Sequence, residues 1–245
     1  STSTSTPSSW TTVNPSYTAG TKSVSFNATG NGLTGSYYLH VQITTLRDVA
    51  GNSYTTTLHS SGTFLFDNTA PTVSLEANSD TTWRQNRTVN VTIKDDHSGL
   101  ATGTSIRYGW STSNSTAPTD YATASISSYS TGAKTATFTA YGIINNKKLT
   151  GQYYLWVEPL NNTFKDVAGN IQTATTKSTG VFYFDNTAPT VGTMTMKLGS
   201  ASGGAYGNNS WTNQSVYLAK NNGSDAHSGH NSTTYTVRKS NGSTI

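Results

Sequence analysis

The sequence predicts an all-β chain built as tandem β-sandwich repeats in an extended array. Three observations carry that expectation. Apolar and polar residues alternate over short runs bounded by Gly, Asn and Ser, no run has the spacing of an amphipathic helix, and a set of words recurs at one long interval. Asp-Val-Ala-Gly-Asn starts at Asp48 and again at Asp166, and Phe-Asp-Asn-Thr-Ala-Pro-Thr-Val starts at Phe66 and again at Phe184; both pairs are 118 residues apart. An interval of that size matches a whole sandwich rather than a short solenoid repeat.

Other words extend the repeat. TGSYYLHV from Thr34 returns as TGQYYLWV from Thr150, and SYTAGTKSVSF from Ser16 returns as SYSTGAKTATF from Ser128. DDHSG from Asp95 is echoed by DAHSG from Asp225, with Trp83 and Trp211 upstream of each. Laid end to end, these anchors predict a complete repeat at 70–187, the second half of a repeat at 1–69 and the first half at 188–245. The chain is expected to begin and end near the phase that Ser111 occupies. The two halves sit on opposite sides of the complete repeat, and stiff linkers forbid their closing on each other, so two explanations stay open: completion by neighbouring copies head to tail, or a segment of a longer array.

The strands are read from period-two alternation. Tyr37, Leu39, Val41 and Ile43 form one inward set and Phe64 with Phe66 another; in the complete repeat the sets are Val89, Val91 and Ile93, then Ile106, Tyr108 and Trp110, then Phe182 and Phe184. Turn signals separate them at Asn31-Gly32, Ala50-Gly51-Asn52, Ser98-Gly99, Thr131-Gly132 and Ala168-Gly169-Asn170. About 118 residues of short alternating strands fit an immunoglobulin-like sandwich and exclude a parallel α/β fold. Between repeats, Asp67 to Pro71 and Asp185 to Pro189 form a short linker that proline stiffens.

Composition narrows the function. Hydrophobic residues make up 33% and charged residues 11%, while Ser and Thr together supply roughly a third of the chain, far above ordinary usage. The solvated faces must therefore be built from hydroxyls and amides. The formal charge of +4 is spread without a basic stripe, which argues against nucleic-acid binding. No cysteine is present, so disulfides and thiolate zinc sites are excluded, and no run has the length of a membrane span.

The ordered set of a Trp-Thr-Asn strand start (Trp211 to Asn213), an Asp/Ser/Gly turn (Asp95 to Gly99), a Tyr-Tyr-Leu strand, Asp-Val-Ala-Gly-Asn and Asp-Asn-Thr-Ala-Pro-Thr resembles bacterial Ig-like repeats of large surface and secreted proteins. Trp83-Arg84-Gln85 departs from that pattern in the complete repeat. The resemblance implies an extracellular, cell-surface structural protein, a fibre or stalk whose partners are neighbouring copies or adjacent repeats. The alternative is an adhesin module binding glycan or a host protein, for which the outward aromatics Tyr38, Tyr154, Trp156 and Tyr183 offer a stacking face. Some such relatives bind calcium at domain junctions.

No catalytic set is legible. Polar candidates recur with the repeat or lie in Ser/Thr runs, and Glu76 and Glu158 form no readable acid/base pair, so no enzyme activity is expected. Asp48, Asp67, Asp95, Asp96, Asp166 and Asp185 are the metal candidates: Asp48 with Asp67, and Asp166 with Asp185, flank the junctions, and Asp95 or Asp96 lies in a turn of the following repeat. Calcium takes six to eight oxygen ligands, whereas an Asx turn asks for one local carboxylate, and both readings stand. Asp96 becomes Ala226 in the echo. His97 and His227 share one phase and read as turn residues rather than metal ligands. Sequons at Asn27, Asn86, Asn90, Asn161 and Asn208 are dense in so Asn-rich a chain, and Lys22 and Lys134 are either isopeptide candidates or ordinary exposed lysines.

Overall fold

The computed structural model describes residues 1–207, 209–220 and 223–236; the Asn208 sequon, residues 221–222 and residues 237–245, at the end of the unit expected at 188–245, lie outside the described residues. Among those described there is no helix, hence none long and apolar enough to cross a membrane, and seventeen strands form several sheets. The chain is all-β.

In the first segment, β1 (Gly35–Tyr37) pairs antiparallel with β4 (Phe64–Phe66), and β2 (His40–Arg47) with β3 (Ser53–His59). The central segment begins with β5 (Thr72–Leu75), β6 (Asp80–Arg84) and β7 (Thr88–Lys94). It continues through β8 (Ile106–Ser111), β9 (Tyr121–Thr123), β10 (Thr135–Tyr141), the small hairpin β11 (Ile143–Ile144) with β12 (Lys147–Lys148), β13 (Gly151–Pro159), β14 (Thr176–Lys177) and β15 (Phe182–Phe184). The last hairpin joins β16 (Met194–Leu198) to β17 (Val216–Lys220).

Two sheets enclose the core. One has the order β10-β7-β5; the other runs β6-β15-β13-β8-β9 with β14 beside β13. Alternation fixes which side faces in: Val89, Val91 and Ile93 of β7 are buried while Thr88, Asn90 and Lys94 are exposed, and Ala136, Phe138 and Ala140 of β10 follow the same rule. These meet Ile106, Tyr108, Trp110, Leu155, Val157, Phe182 and Phe184 from the opposing sheet in one apolar cluster, a sandwich-like arrangement. Every buried apolar residue of that core lies between Val89 and Phe184.

Arg87 closes the seam where β6 runs parallel to β15. Its guanidinium is buried, bonds to Asp80, donates to the carbonyls of Thr82 at 2.5 Å and Tyr183 at 3.4 Å, and lies 5.4 Å from the Phe182 ring centre. Burying the cation against carbonyls, a carboxylate and ring faces offsets part of its desolvation.

Two expectations change on contact with the structure, and one repeated word takes a different form in its two copies. Phe64 and Leu39, read as inward, are 50% and 39% exposed, because no second sheet lies over β1 to β4. Ser23 to Phe26 repeats the Thr135 to Phe138 pattern yet forms no strand, since β10 exists by pairing with β7 and the first segment has no β7. Trp156, read as an outward ring, is only 6% exposed: Lys177 of the neighbouring β14 lies 4.4 Å from its ring centre and is anchored to the Asn114 carbonyl at 2.8 Å. Tyr183 is likewise covered, by Trp83 at 4.7 Å between centres. Lys134 donates to the His97 carbonyl.

Candidate functional site

The linker Asp67 to Pro71 meets two turns of the central segment, and their carboxylates converge there. Ligand oxygens of Asp67, Asp95 and Asp166 all lie within 4.8 Å of one another; Asp95 and Asp166 are buried and Asp67 half-buried. Each carboxylate arrives by a local rule. Asp95 directly follows β7 and accepts N–H donors from His97 at 3.1 Å and Gly99 at 2.6 Å, an Asx-type turn. Gly99 stands at φ +84°, where a Cβ would lie 2.2 Å from the Gly132 carbonyl oxygen, so glycine is required.

Asp166 accepts the Asn170 backbone N–H at 2.8 Å and the Asn170 amide at 2.6 Å, closing the Asp-Val-Ala-Gly-Asn loop on itself. The two turns are then joined: the Val167 N–H donates to the Gly99 carbonyl at 2.8 Å, and the Ala168 N–H to Ser98 Oγ at 3.2 Å. The linker is held by both. Ser98 N–H donates to Asp67 Oδ2 at 2.9 Å, the Asn170 amide to the Asp67 carbonyl at 2.9 Å, and the Gln172 amide to the Pro71 carbonyl at 3.0 Å.

Burial alone would raise the Asp67 carboxyl. Hydrogen bonds from the Ser98 side chain and backbone and from Thr69, with the nearby His97, outweigh that and hold it below the ordinary carboxylate range. The same device appears one repeat later. Ser228 N–H donates to Asp185 Oδ2 at 3.0 Å, Thr187 N–H to Asp185 Oδ1 at 3.0 Å, and His227 and Gly229 to Asp225 Oδ1 at 3.0 and 2.9 Å. Hydrogen bonding from Ser228 and Thr187 lowers the Asp185 carboxyl as well. Here His227 packs its ring edge-on to Trp83, 5.2 Å between centres.

The grouping differs from the one expected of the sequence. Asp67 is joined by Asp166 of the segment that follows it, not by Asp48 of the segment that precedes it. Asp48 repeats the Asp166 loop in exposed form, accepting Asn52 N–H at 2.8 Å and the Asn52 amide at 2.7 Å, which lowers its carboxyl. Asp96 points away to Lys94 at 2.9 Å, both largely exposed. Asp185 belongs to the next junction with Asp225. Asp225, Ser98, Asn170 and Gln172 were missed in the sequence, although the DAHSG echo and the invariant final Asn of both Asp-Val-Ala-Gly-Asn words were the signals for the first three.

The chemistry of the set is oxygen-only, which suits a hard cation, and Asp67, Asp95 and Asp166 are the residues that would hold one. Five of their six carboxylate oxygens already accept N–H donors, so the cluster is also a satisfied hydrogen-bond hub. Glu76 and Glu158 are not brought together: Glu158 binds Arg107 at 2.8 Å and Tyr121 at 2.8 Å, while Glu76 faces Asn90. No protein-family model and no curated protein matches the chain.

Proposed function

We propose that the chain is a segment of an extracellular structural array, immunoglobulin-like repeats strung into a stalk or fibre at the cell surface. One observation carries the reading: the linker carboxylate is bound by the Ser of the following Asp-x-His-Ser-Gly turn at both junctions, Asp67 to Ser98 and Asp185 to Ser228. A junction latch that recurs with the sequence repeat is what a rod of fixed geometry needs. The immunoglobulin-like assignment is supported by the strand order, by Trp110 buried at the end of β8, and by Tyr153, whose hydroxyl reaches back to the Thr150 carbonyl at 3.4 Å at the start of β13. Tyr37 does the same to Thr34 at 3.2 Å. A hydroxyl- and amide-rich surface with few charges suits a passive scaffold.

Calcium binding at the Asp67, Asp95 and Asp166 hub would stiffen the same joint. The adhesin reading is favoured by one feature, an open cleft of about 320 Å³ beside Trp110, Pro118, Asp120, Lys147 and Tyr153. The test is electron microscopy of the dilute 1–245 chain beside its Asp67→Ala/Asp185→Ala variant, with a glycan-array arm. Elongated particles whose bend angles broaden in the variant are the expected result. A compact particle indifferent to the substitutions would overturn the stalk, and specific glycan capture would favour the adhesin.

A further inference from the structure

Resting on the adhesin reading and deepening it, we propose that the cleft beside Trp110 in the central segment binds one ring of a neutral saccharide. The cleft lies between the 112–120 loop, which joins β8 to β9, and the β11–β12 hairpin, and its volume of about 320 Å³ is at the small end of the range for small-molecule sites. Its lining is divided by chemistry. Trp110, Pro118, Ile144 and Leu149 are buried and form an apolar floor, while Thr112 and Thr119 are exposed and Lys147 meets Asp120 at 2.9 Å. That pair sets a carboxylate acceptor beside an ammonium donor, a pattern that two neighbouring hydroxyls of one ring satisfy, and being neutral overall it selects neither anions nor cations. A pyranose joins such hydroxyls to a C–H face that suits the floor.

The first segment carries the same frame without the pair. Ser113 N–H donates to Ser111 Oγ at 3.2 Å and Ser115 N–H to Ser113 Oγ at 3.1 Å, as Ser3 N–H donates to Ser1 Oγ at 3.2 Å and Ser5 N–H to Ser3 Oγ at 3.0 Å. Pro118-Thr119-Asp120-Tyr121 then matches Pro7-Ser8-Ser9-Trp10. Gly142 and Gly30 each make room for a ring, that of Phe184 or Phe66, and Leu149-Thr150-Gly151 matches Leu33-Thr34-Gly35. Two differences are set on that frame. Asp120 stands where the first segment has Ser9, and Ile143 to Lys148 occupy the place of Asn31 and Gly32. The longer stretch folds as a hairpin, Ile144 opposite Lys147, with Asn145 and Asn146 at φ 52° and 63° in its turn. It gives Ile144 to the floor and Lys147 to Asp120, so two separate changes meet over one cleft. Fold stability does not account for them: the Lys147 and Asp120 side chains are 65% and 45% exposed, and an ion pair in that much water contributes little.

Saturation-transfer NMR of the 1–245 chain with the methyl pyranosides of glucose, galactose, mannose and N-acetylglucosamine tests this, with the methyl pyranoside of glucuronic acid as the charged comparison. Asp120→Ser and Lys147→Ala each open the pair and leave the floor in place, and Lys148→Ala is the control on the same hairpin. Circular dichroism checks that each variant keeps the parent's sheet signal. Transfer to the ring C–H protons of at least one neutral glycoside is expected, with equal affinity in the parent and Lys148→Ala and about tenfold weaker binding in Asp120→Ser and Lys147→Ala, as for the loss of a charged hydrogen bond. No transfer to any of the four neutral glycosides, undiminished binding in Asp120→Ser and Lys147→Ala, or a preference for the glucuronide overturns the proposal. A glycan array probed with the same samples separates the two levels. Capture that survives both substitutions defeats this cleft and leaves the adhesin reading standing; no capture together with no transfer defeats both.

Discussion

The stretches Gly35–Phe66 and Gly151–Phe184 carry nearly the same words and pair in the same register, yet they end in opposite environments. Phe182 is sealed in the core and Phe64 is half in water. Their hydrogen-bonded details agree as well: Asn68 and Asn186 both reach back to a leucine carbonyl, Leu33 and Leu149, and both take the hydroxyl of the next threonine as acceptor for their N–H. Turns and two-strand registers are thus settled by neighbours close in sequence. Burial is settled by a second sheet contributed from elsewhere, and where that sheet is missing the same residues stay exposed.

The largest expected effect breaks this comparison at its centre. Phe182→Ala should cost about 3–5 kcal/mol in urea denaturation, as for a large ring removed from a packed core, while Phe64→Ala should stay within about 0.5 kcal/mol, as for an exposed position. Equal losses at both sites would mean that the first segment is packed in solution. Next, Arg87→Ala removes a buried cation from Asp80, two carbonyls and two ring faces; a loss of about 2–3 kcal/mol is expected, discounted from a fully buried pair because Asp80 is partly in water.

A finer contrast lies between the two Asp-Val-Ala-Gly-Asn loops. Asp166→Ala leaves the Asn170 donors unpaired in a buried latch and should cost about 1–3 kcal/mol. Asp48→Ala does the same in solvent and should leave the midpoint of the same denaturation series indistinguishable from the parent's. The pH dependence comes next. The Arg87 guanidinium beside Asp80 holds that carboxyl down at about 2. A depressed folded value stabilises fully above the ordinary carboxylate pKa, near about 4, and the contribution is lost as pH falls from there to about 2. Melting temperature should drop across that window in the parent, and the drop should be shallower in Arg87→Met.

The smallest effect concerns metal. With five carboxylate oxygens of the hub already bonded to N–H groups, a chelator should leave the melting temperature of the calcium-free chain unchanged. Added calcium should raise it measurably only if Asp67, Asp95 and Asp166 act as ligands, and Asp95→Asn would then abolish the rise.

The all-β class and the inward faces of β7, β8 and β15 were legible in the sequence, because alternation and turn chemistry are short-range properties written residue by residue. The candidate site was legible in its parts, since every one of its acids sits in a repeated word. Its assembly was not. Joining Asp67 to Asp166, covering Trp156 with Lys177, and leaving Phe64 in water all depend on which distant segments pack together, and in this chain identical words meet different neighbours. Only the tertiary structure decides that, because desolvation and convergence are properties of a surrounding, and a surrounding is built from residues far apart along the chain.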